Sequence, residues 1–392
     1  MEKIIMTKVA ARRFMLLKQG LLGERRFTGK AGVLDYVREA SCIQFDPVDV
    51  CGMNADLVLQ SRVDGYRKPW LQELLYEDRK LFDHFDKMMS IMAIEDWPYF
   101  ARTRQNLRQW TRVADALMNR SPAIMELLES TDYINSKVLD LGKMDWYWSE
   151  TSVARATLEA MFFVGELMIH HKDRTIRHYA PAKRLLPPEL LLAPDPYPEE
   201  ADHLAWRVWR RIGAVGLLWN RRSDAFLGTE GLSAANREAA FHTLIATDRI
   251  IAVEVEGFDE PLYLHKEDQP FIQAAMADHP YPLKATLLAP LDGMLWDRKL
   301  IAKMFDFDYT WEIYTPPAKL KFAHYTLPIL LGERFIGRVE LRTLKREKVL
   351  EVRHIWLEDD VKPTAVLGKA LERCFRKFAD FSECDTVHSD EI

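Results

Sequence analysis

Apolar residues at Ala10, Phe14 and Leu17 recur at helical spacing through 7–19, and Thr7 stands where a first-turn cap belongs. Residues 31–40 repeat the helical period. The stretch CIQFDPVDV from Cys42 breaks it and reads as extended, and helical spacing returns at 70–76 and 94–118. Two later stretches share one pattern. Thr151 is placed to cap a helix through VARATLEAMFF, followed by GELMIHH, the polar turn KDR and TIRHYAP. Ser233 is placed to cap AANREAAFHTLIA, followed by RIIAVEV, the turn EGFDE and PLYLHKE. A helix leading into a two-stranded hairpin is the order of recognition helix and wing in a winged helix, and also of unrelated helix–hairpin pieces in an α+β protein. The stretch DPYPEEAD within 194–202 reads as a linker. After HPYPLK at 279–284, TLPILL, ERFIGRVELRTL and KVLEVRHIWLE read as short antiparallel strands, punctuated by Gly332 and Gly337, forming a small barrel-like region. A helix over 363–381 follows.

Composition narrows the class. The 392 residues are enough for two to four domains, and 48% hydrophobic with 29% charged is ordinary for globular protein. No apolar run is long enough to span a bilayer, and the opening MEKIIMTKVAARRF carries charges where a signal peptide needs apolar residues. The cytoplasm is the expected compartment. Cys42, Cys51, Cys374 and Cys384 form no CxxC pair and no zinc-ligand spacing, so they read as reduced thiols and no metal is expected. The net charge of -5 weighs against a simple polyanion binder. Its distribution is uneven, however. Segment 97–120 holds Arg102, Arg104, Arg108, Arg112 and Arg120 against Asp115 alone.

Gln44-Phe45-Asp46-Pro47 is the most informative short segment. Alternation along a strand puts Gln44 and Asp46 on one face and Phe45 on the other, anchoring in the core. Pro47 keeps Asp46 out of helical geometry. An amide beside a rigid carboxylate can activate water; the plainer reading is a solvated Q-x-D strand. Arg104, Arg108 and Arg112 at four-residue spacing form one helix stripe, either a DNA surface or a solvated face. Lys172, Arg174 and Arg177 fall at the first hairpin's tip, where phosphate contact is sensible. His84, His170, His171 and His178 lack metal-ligand spacing, and the WDR at Trp296 with Glu312 reads as structural. No Walker motif, GxGxxG, GxSxG or HExxH is present, so nucleotide hydrolysis and dehydrogenase chemistry have no support and no cofactor is expected.

The stretch LLAPLDGMLWDRKLIAKMFDFDYTWEIYTPPAKLKFAHYTLPILLGERFIGRVELR resembles the C-terminal signature of the YcaQ-like (AlkX/AlkZ-type) winged-helix DNA glycosylase family. QGLL from Gln19, LVLQSRVDGY from Leu57, FFVGELMIHHKDRTIRHY and EVRHIWLEDDVKPT agree with it, so the resemblance spans essentially the whole chain. It implies an α+β fold of tandem winged-helix modules in a C-shaped arrangement, backed by a C-terminal antiparallel β domain. The expected segments are 1–118 with the catalytic motif, 119–195, 196–280, and a barrel-like 281–392. It also implies a catalytic motif of glutamine–hydrophobic–glutamine or glutamine–hydrophobic–aspartate, the second form matched by Gln44-Phe45-Asp46, and thereby favours the catalytic pair over the solvated strand. The implied substrate is double-stranded DNA carrying N7-alkylated purines or interstrand crosslinks, with nucleoid association when bound. The implied activity is monofunctional hydrolysis of the N-glycosidic bond, without metal or nucleotide cofactor. DNA contacts are expected from Arg104, Arg108, Arg112, Lys172, Arg174 and Arg177. The sequence departs from the family at Lys87 (usually His), Met53 (usually Arg), the stretch KLKFAHY, and Glu340 (usually Asp). A non-catalytic winged-helix regulator or lesion binder is the alternative, and a protein scaffold acting through the β region a third reading.

Overall fold

Thr7 caps the first helix, Lys8–Lys18, its hydroxyl accepting from Ala10 N at 3.1 Å, and Ser233 does the same for Ala234–Ala246 through Asn236 N. Both caps were legible from hydroxyl residues preceding periodic apolar runs. The computed structural model describes residues 4–139, 142–145 and 150–389. Contacts divide the chain into two units, Met1–Trp70 with Ala201–Ile392, and Leu71–Glu200. The division at Glu200 falls within the linker read from DPYPEEAD.

In the first unit, helix Glu200–Val215 precedes strand Leu218–Trp219 and helix Ala234–Ala246. Strand Ile250–Val255 then pairs antiparallel with Leu262–His265, which in turn pairs with Leu218–Trp219. Strand Ile4–Met6 joins the outer edge in parallel. A second sheet runs in the order Ala285–Leu287, Leu327–Leu331, Arg334–Leu344, Val349–Leu357, Thr386–Ser389. Its first four strands are antiparallel, Ala285–Leu287 adding to the three read from the sequence; the last pairing is parallel, because helix Ala365–Phe381 carries the chain back before Thr386. Gly337 is required there: a Cβ would lie 2.1 Å from the Trp356 carbonyl oxygen.

The second unit holds the hairpin Leu81–Phe85 with Met89–Ala93, the 3-10 helix Ile94–Phe100, and helices Ala101–Arg108 and Thr111–Leu127. Helix Val153–Phe163 leads into hairpin Leu167–Asp173 with Ile176–Pro181, the helix-then-hairpin order read from the sequence. Its cap is Ser152, accepting from Arg155 N, rather than Thr151. The core gathers Leu107, Val113, Leu117, Ile124, Phe162, Leu167 and Tyr179.

The continuous helix expected over 94–118 is three pieces. Pro98 sits in the 3-10 turn, and Trp110 leaves helical geometry at ψ 126°. The reason is phase. Leu107 and Val113 are both buried, yet six residues on one helix leave them roughly 120° apart around its axis. Breaking the helix returns Val113 to the core side.

Candidate active site and DNA-contacting residues

The motif loop is fixed at both ends. Helix Gly29–Ala40 ends at Ser41 with φ +64°, and the Arg210 guanidinium donates to the Ser41 carbonyl at 2.7 Å. Cys42 and Ile43 are buried, and the short strand Ile43–Gln44 follows. Beyond the motif, Val50 O accepts from Thr343 N and Asp49 pairs with Lys345 at 2.7 Å, docking the loop on strand Arg334–Leu344. Helix Asn54–Arg62 then begins. Its Asn54 amide donates to the Gln44 carbonyl at 2.8 Å and accepts from Leu291 N at 3.1 Å.

Within this frame Gln44 is buried and Phe45 half-buried, the reverse of the alternation expected. The strand ends at Gln44, so the period-two rule has no hold on the next two residues. Asp46 is half-buried, and its Oδ1 accepts from Val48 N at 2.9 Å in a turn that Pro47 completes. Burial pushes the Asp46 carboxyl above the ordinary carboxylate range, while the Val48 N–H works against that shift. The buried hydroxyl of Tyr325 lies within electrostatic reach of Asp46 and is pushed well above its usual range, first by burial.

The six cations proposed for DNA contact divide sharply. Arg104 is built into the unit: its guanidinium lies 4.0 Å from the Trp97 ring centroid and donates to the Trp97 carbonyl at 2.9 Å. Burial lowers its pKa to about 10. Gly165 makes room for it, since a Cβ would meet the Arg104 Cδ at 2.4 Å. Arg108 is exposed and pairs with Glu166 at 2.9 Å. Arg112 is exposed but lies on the next helix, so the expected single stripe does not exist. Lys172 sits on strand Leu167–Asp173 and is paired with the buried Asp83 at 2.7 Å. Arg177 lies on the facing strand, hydrogen-bonded to Tyr179. Arg174, at the turn with φ +54°, projects into solvent.

Lys87 is buried within the tip of the Leu81–Ala93 hairpin, closed by Asp86 N donating to Met88 O at 2.9 Å. His84 is buried beneath it among Phe82, Trp97 and Phe162, and burial lowers its pKa to about 3. It is a neutral core imidazole. Asp297 caps helix Arg298–Phe305 and accepts from Trp219 Nε1 at 2.6 Å, and Glu312 accepts from Lys321 N and Phe322 N, so both are structural. Among the described residues no cluster of three or more His, Cys, Asp or Glu is arranged to hold a metal ion, and no helix is long and apolar enough to cross a membrane.

A family model described as DNA glycosylase AlkZ-like matches residues 37–381. The chain belongs to that family. The match takes in the motif loop, both hairpins and the first four strands of the five-stranded sheet. A solved structure of Streptomyces sahachiroi DNA glycosylase AlkZ superposes with a TM-score of 0.60 at 15% identity, over 98% of this chain and 100% of that one. The two share a fold across their whole length. Membership makes the chain a DNA glycosylase in class and DNA its substrate.

Sequence reasoning missed Asn54, which ties the motif to the 291 loop, and Tyr325. Tyr325 closes the KLKFAHY stretch, one of the places where the sequence departs from the family. Asn54 opens a helix in which every residue but Gln60 is buried, where a polar side chain needs partners.

Proposed function

We propose that the chain is a monofunctional glycosylase that hydrolyses the N-glycosidic bond of N7-alkylated purines in double-stranded DNA, crosslinked purines of that chemistry included. The observation that carries the reading is Asp46: a half-buried carboxylate, held by Val48 N–H in a loop pinned at both ends. Alkylation at N7 makes the base cationic and a good leaving group, so departure needs no general acid, unlike ordinary glycoside hydrolysis. Positive charge then develops on the deoxyribose. Asp46 stabilises it and accepts a proton from the attacking water. Gln44 acts on orientation of water or sugar from the adjoining position. The two helix-then-hairpin segments serve as recognition helices and wings of winged-helix modules within 119–195 and 196–280, with the motif in 1–118 and the sheet in 281–392. Arg174 at the first wing's turn contacts phosphate, and the exposed Arg108 and Arg112 are the next candidates; Arg104, Lys172 and Arg177, also expected to contact DNA, are engaged within the unit by Trp97, Asp83 and Tyr179.

The test is excision of N7-methylguanine from duplex DNA under enzyme excess. Asp46→Asn keeps shape and removes charge, so the single-turnover rate should fall by about 100-fold or more, with undamaged-duplex affinity equal or tighter. Gln44→Ala should lose less. An Asp46→Asn rate equal to wild type sinks the mechanism. Borohydride trapping of a protein–DNA adduct would show a lyase and point first to Lys87. If wild type binds duplex but releases no base, the non-catalytic lesion-binding reading replaces this one.

A further inference from the structure

Arg25, Asp64, Lys284 and Lys377 come from four distant stretches of the unit that carries the motif. Strand Val63–Asp64 pairs in parallel with Phe27–Thr28, which brings the approach to Phe27 alongside Asp64. Arg25 is held there by donating to the Ser61 carbonyl at 2.7 Å. Lys377, on helix Ala365–Phe381, reaches to 3.8 Å from Asp64 Oδ1. Lys284 immediately precedes strand Ala285–Leu287, with its carbonyl accepting from Gly332 N at 3.0 Å, and the Ala365–Phe381 helix packs against that strand. The three cations are close enough to repel one another: Arg25 and Lys377 both act on Lys284, and Arg25 acts on Lys377. One carboxylate stands against three positive groups, and among the described residues Lys284 makes no ion pair.

This concentration is unusual for the chain. The net charge is -5, and several buried cations elsewhere are each matched by a carboxylate, as in Arg62 with Asp292, Lys18 with Asp268 and Arg338 with Glu358. Repulsion among three cations that retain a surplus of positive charge is relieved by an incoming anion. The patch is a surface rather than a closed cavity, since Asp64, Lys284 and Lys377 are all exposed. An open patch suits a polymer's phosphate passing over it.

We propose that Arg25, Lys284 and Lys377 form a binding site for a backbone phosphate of the DNA substrate. The site rests on the DNA-substrate reading and adds a contact surface to the unit bearing Gln44-Phe45-Asp46, whereas the hairpin cations considered above belong to the other unit. It has a built-in pH signature. Although Lys284 is exposed by surface area, enough protein crowds its ammonium that burial, then Arg25 and Lys377, lower its pKa to about 8. Asp64 opposes the shift, and the neighbouring Cys374 thiol is pushed up to about 12 by burial, so it stays neutral below pH 9. A phosphate favours the charged lysine. Binding therefore takes up a proton and weakens as pH rises, by up to about tenfold between pH 7 and 9.

The experiment is fluorescence-anisotropy titration of an undamaged duplex with the full chain, at several salt concentrations and at pH 7 and 9. Wild type, Lys284→Arg and the double variant Lys284→Gln/Lys377→Gln are compared, each checked for wild-type thermal unfolding. The double variant should bind more weakly, with its log K against log salt slope flattened by about one unit for the one phosphate lost. Lys284→Arg should bind as wild type at pH 7 and lack the loss at pH 9. Wild-type affinity and slope in the double variant overturn the proposal, as do identical pH profiles for Lys284→Arg and wild type. Thermal stabilisation by inorganic phosphate that the double variant loses, with duplex binding unchanged, would assign the patch to free phosphate and overturn it too. A wild type that binds no duplex at all is a different failure, that of the DNA-substrate reading itself.

Discussion

Asn54 is the residue whose removal tests how the motif is held. It is 2% exposed, and its amide joins the Gln44 carbonyl to the Leu291 N–H by hydrogen bonds of 2.8 and 3.1 Å. Asn54→Ala removes a donor from the Gln44 carbonyl, worth about 1 kcal/mol net, and takes the acceptor from a Leu291 N–H that is poorly placed for water, costing about 1–3 kcal/mol. The sum is about 2–4 kcal/mol. Asn54→Asp keeps the acceptor for Leu291 but turns the donor into a second oxygen facing the Gln44 carbonyl, so it should be no better than alanine at neutral pH and should recover part of the loss in acid, where a protonated carboxyl can donate again. Urea unfolding at pH 5 and 7.5 measures both. Single-turnover release of N7-methylguanine, well below the melting temperature, shows whether the loosened motif still works, and a reduced rate is expected from alanine even where the chain is fully folded. Asn54→Ala within about 0.5 kcal/mol of wild type, with an unchanged excision rate, would show that the bridge neither stabilises the unit nor positions the motif.

Two further outcomes follow from buried charge. Arg62 and Asp292 are both fully buried and joined by two hydrogen bonds of 2.7 Å, so Asp292→Ala strands a guanidinium and should cost about 3–5 kcal/mol in urea unfolding; Arg62→Met with Asp292→Leu should recover much of that, and a single-variant loss below about 1 kcal/mol contradicts the argument. Asp56 is buried, accepts from the Tyr66 hydroxyl at 2.6 Å, and burial raises its pKa to about 6. The folded chain thus keeps a proton that the unfolded chain gives up near pH 4, so this group's stabilisation is present below pH 4 and is lost as pH rises to about 6, by about 3 kcal/mol in all. Asp56→Asn should abolish that slope, and parallel pH profiles for variant and wild type would refute it.

Much of the fold was legible because its signals are local. Thr7 and Ser233 announce their helices within four residues, and each of the two hairpins follows its helix and folds around a polar turn. The errors arose where a local rule met a choice it does not contain. Thr151 and Ser152 are adjacent hydroxyls, and only the entry angle of the chain decides which of them reaches Arg155 N. The helix break at Trp110 depends on which side of Val113 faces the core, a property of Phe162 and Tyr179, far along the chain. The parallel pairing of Thr386–Ser389 depends on where the terminal helix delivers it.

The site shows the same division in terms of charge. Spacing picked out Gln44 and Asp46 and the family resemblance made them the catalytic candidates, but Gln44 is buried where Phe45 was expected to be, because alternation was extended past a strand that ends at Gln44. The basic residues were chosen by counting cations in short windows, and such a count cannot see the partners that neutralise them. Asp83 lies 89 residues from Lys172, and Glu166 lies 58 from Arg108. The window also has the opposite blindness. Arg25, Lys284 and Lys377 each stand among unremarkable neighbours in sequence, and the strand pairing at Asp64 and the packing of the terminal helix are what concentrate them. Electrostatic surfaces are thus a product of tertiary structure even where a candidate motif is a product of sequence. In an acidic protein that must meet a polyanion, cations that outnumber the carboxylates packed beside them are better guides than cations that are merely numerous in sequence.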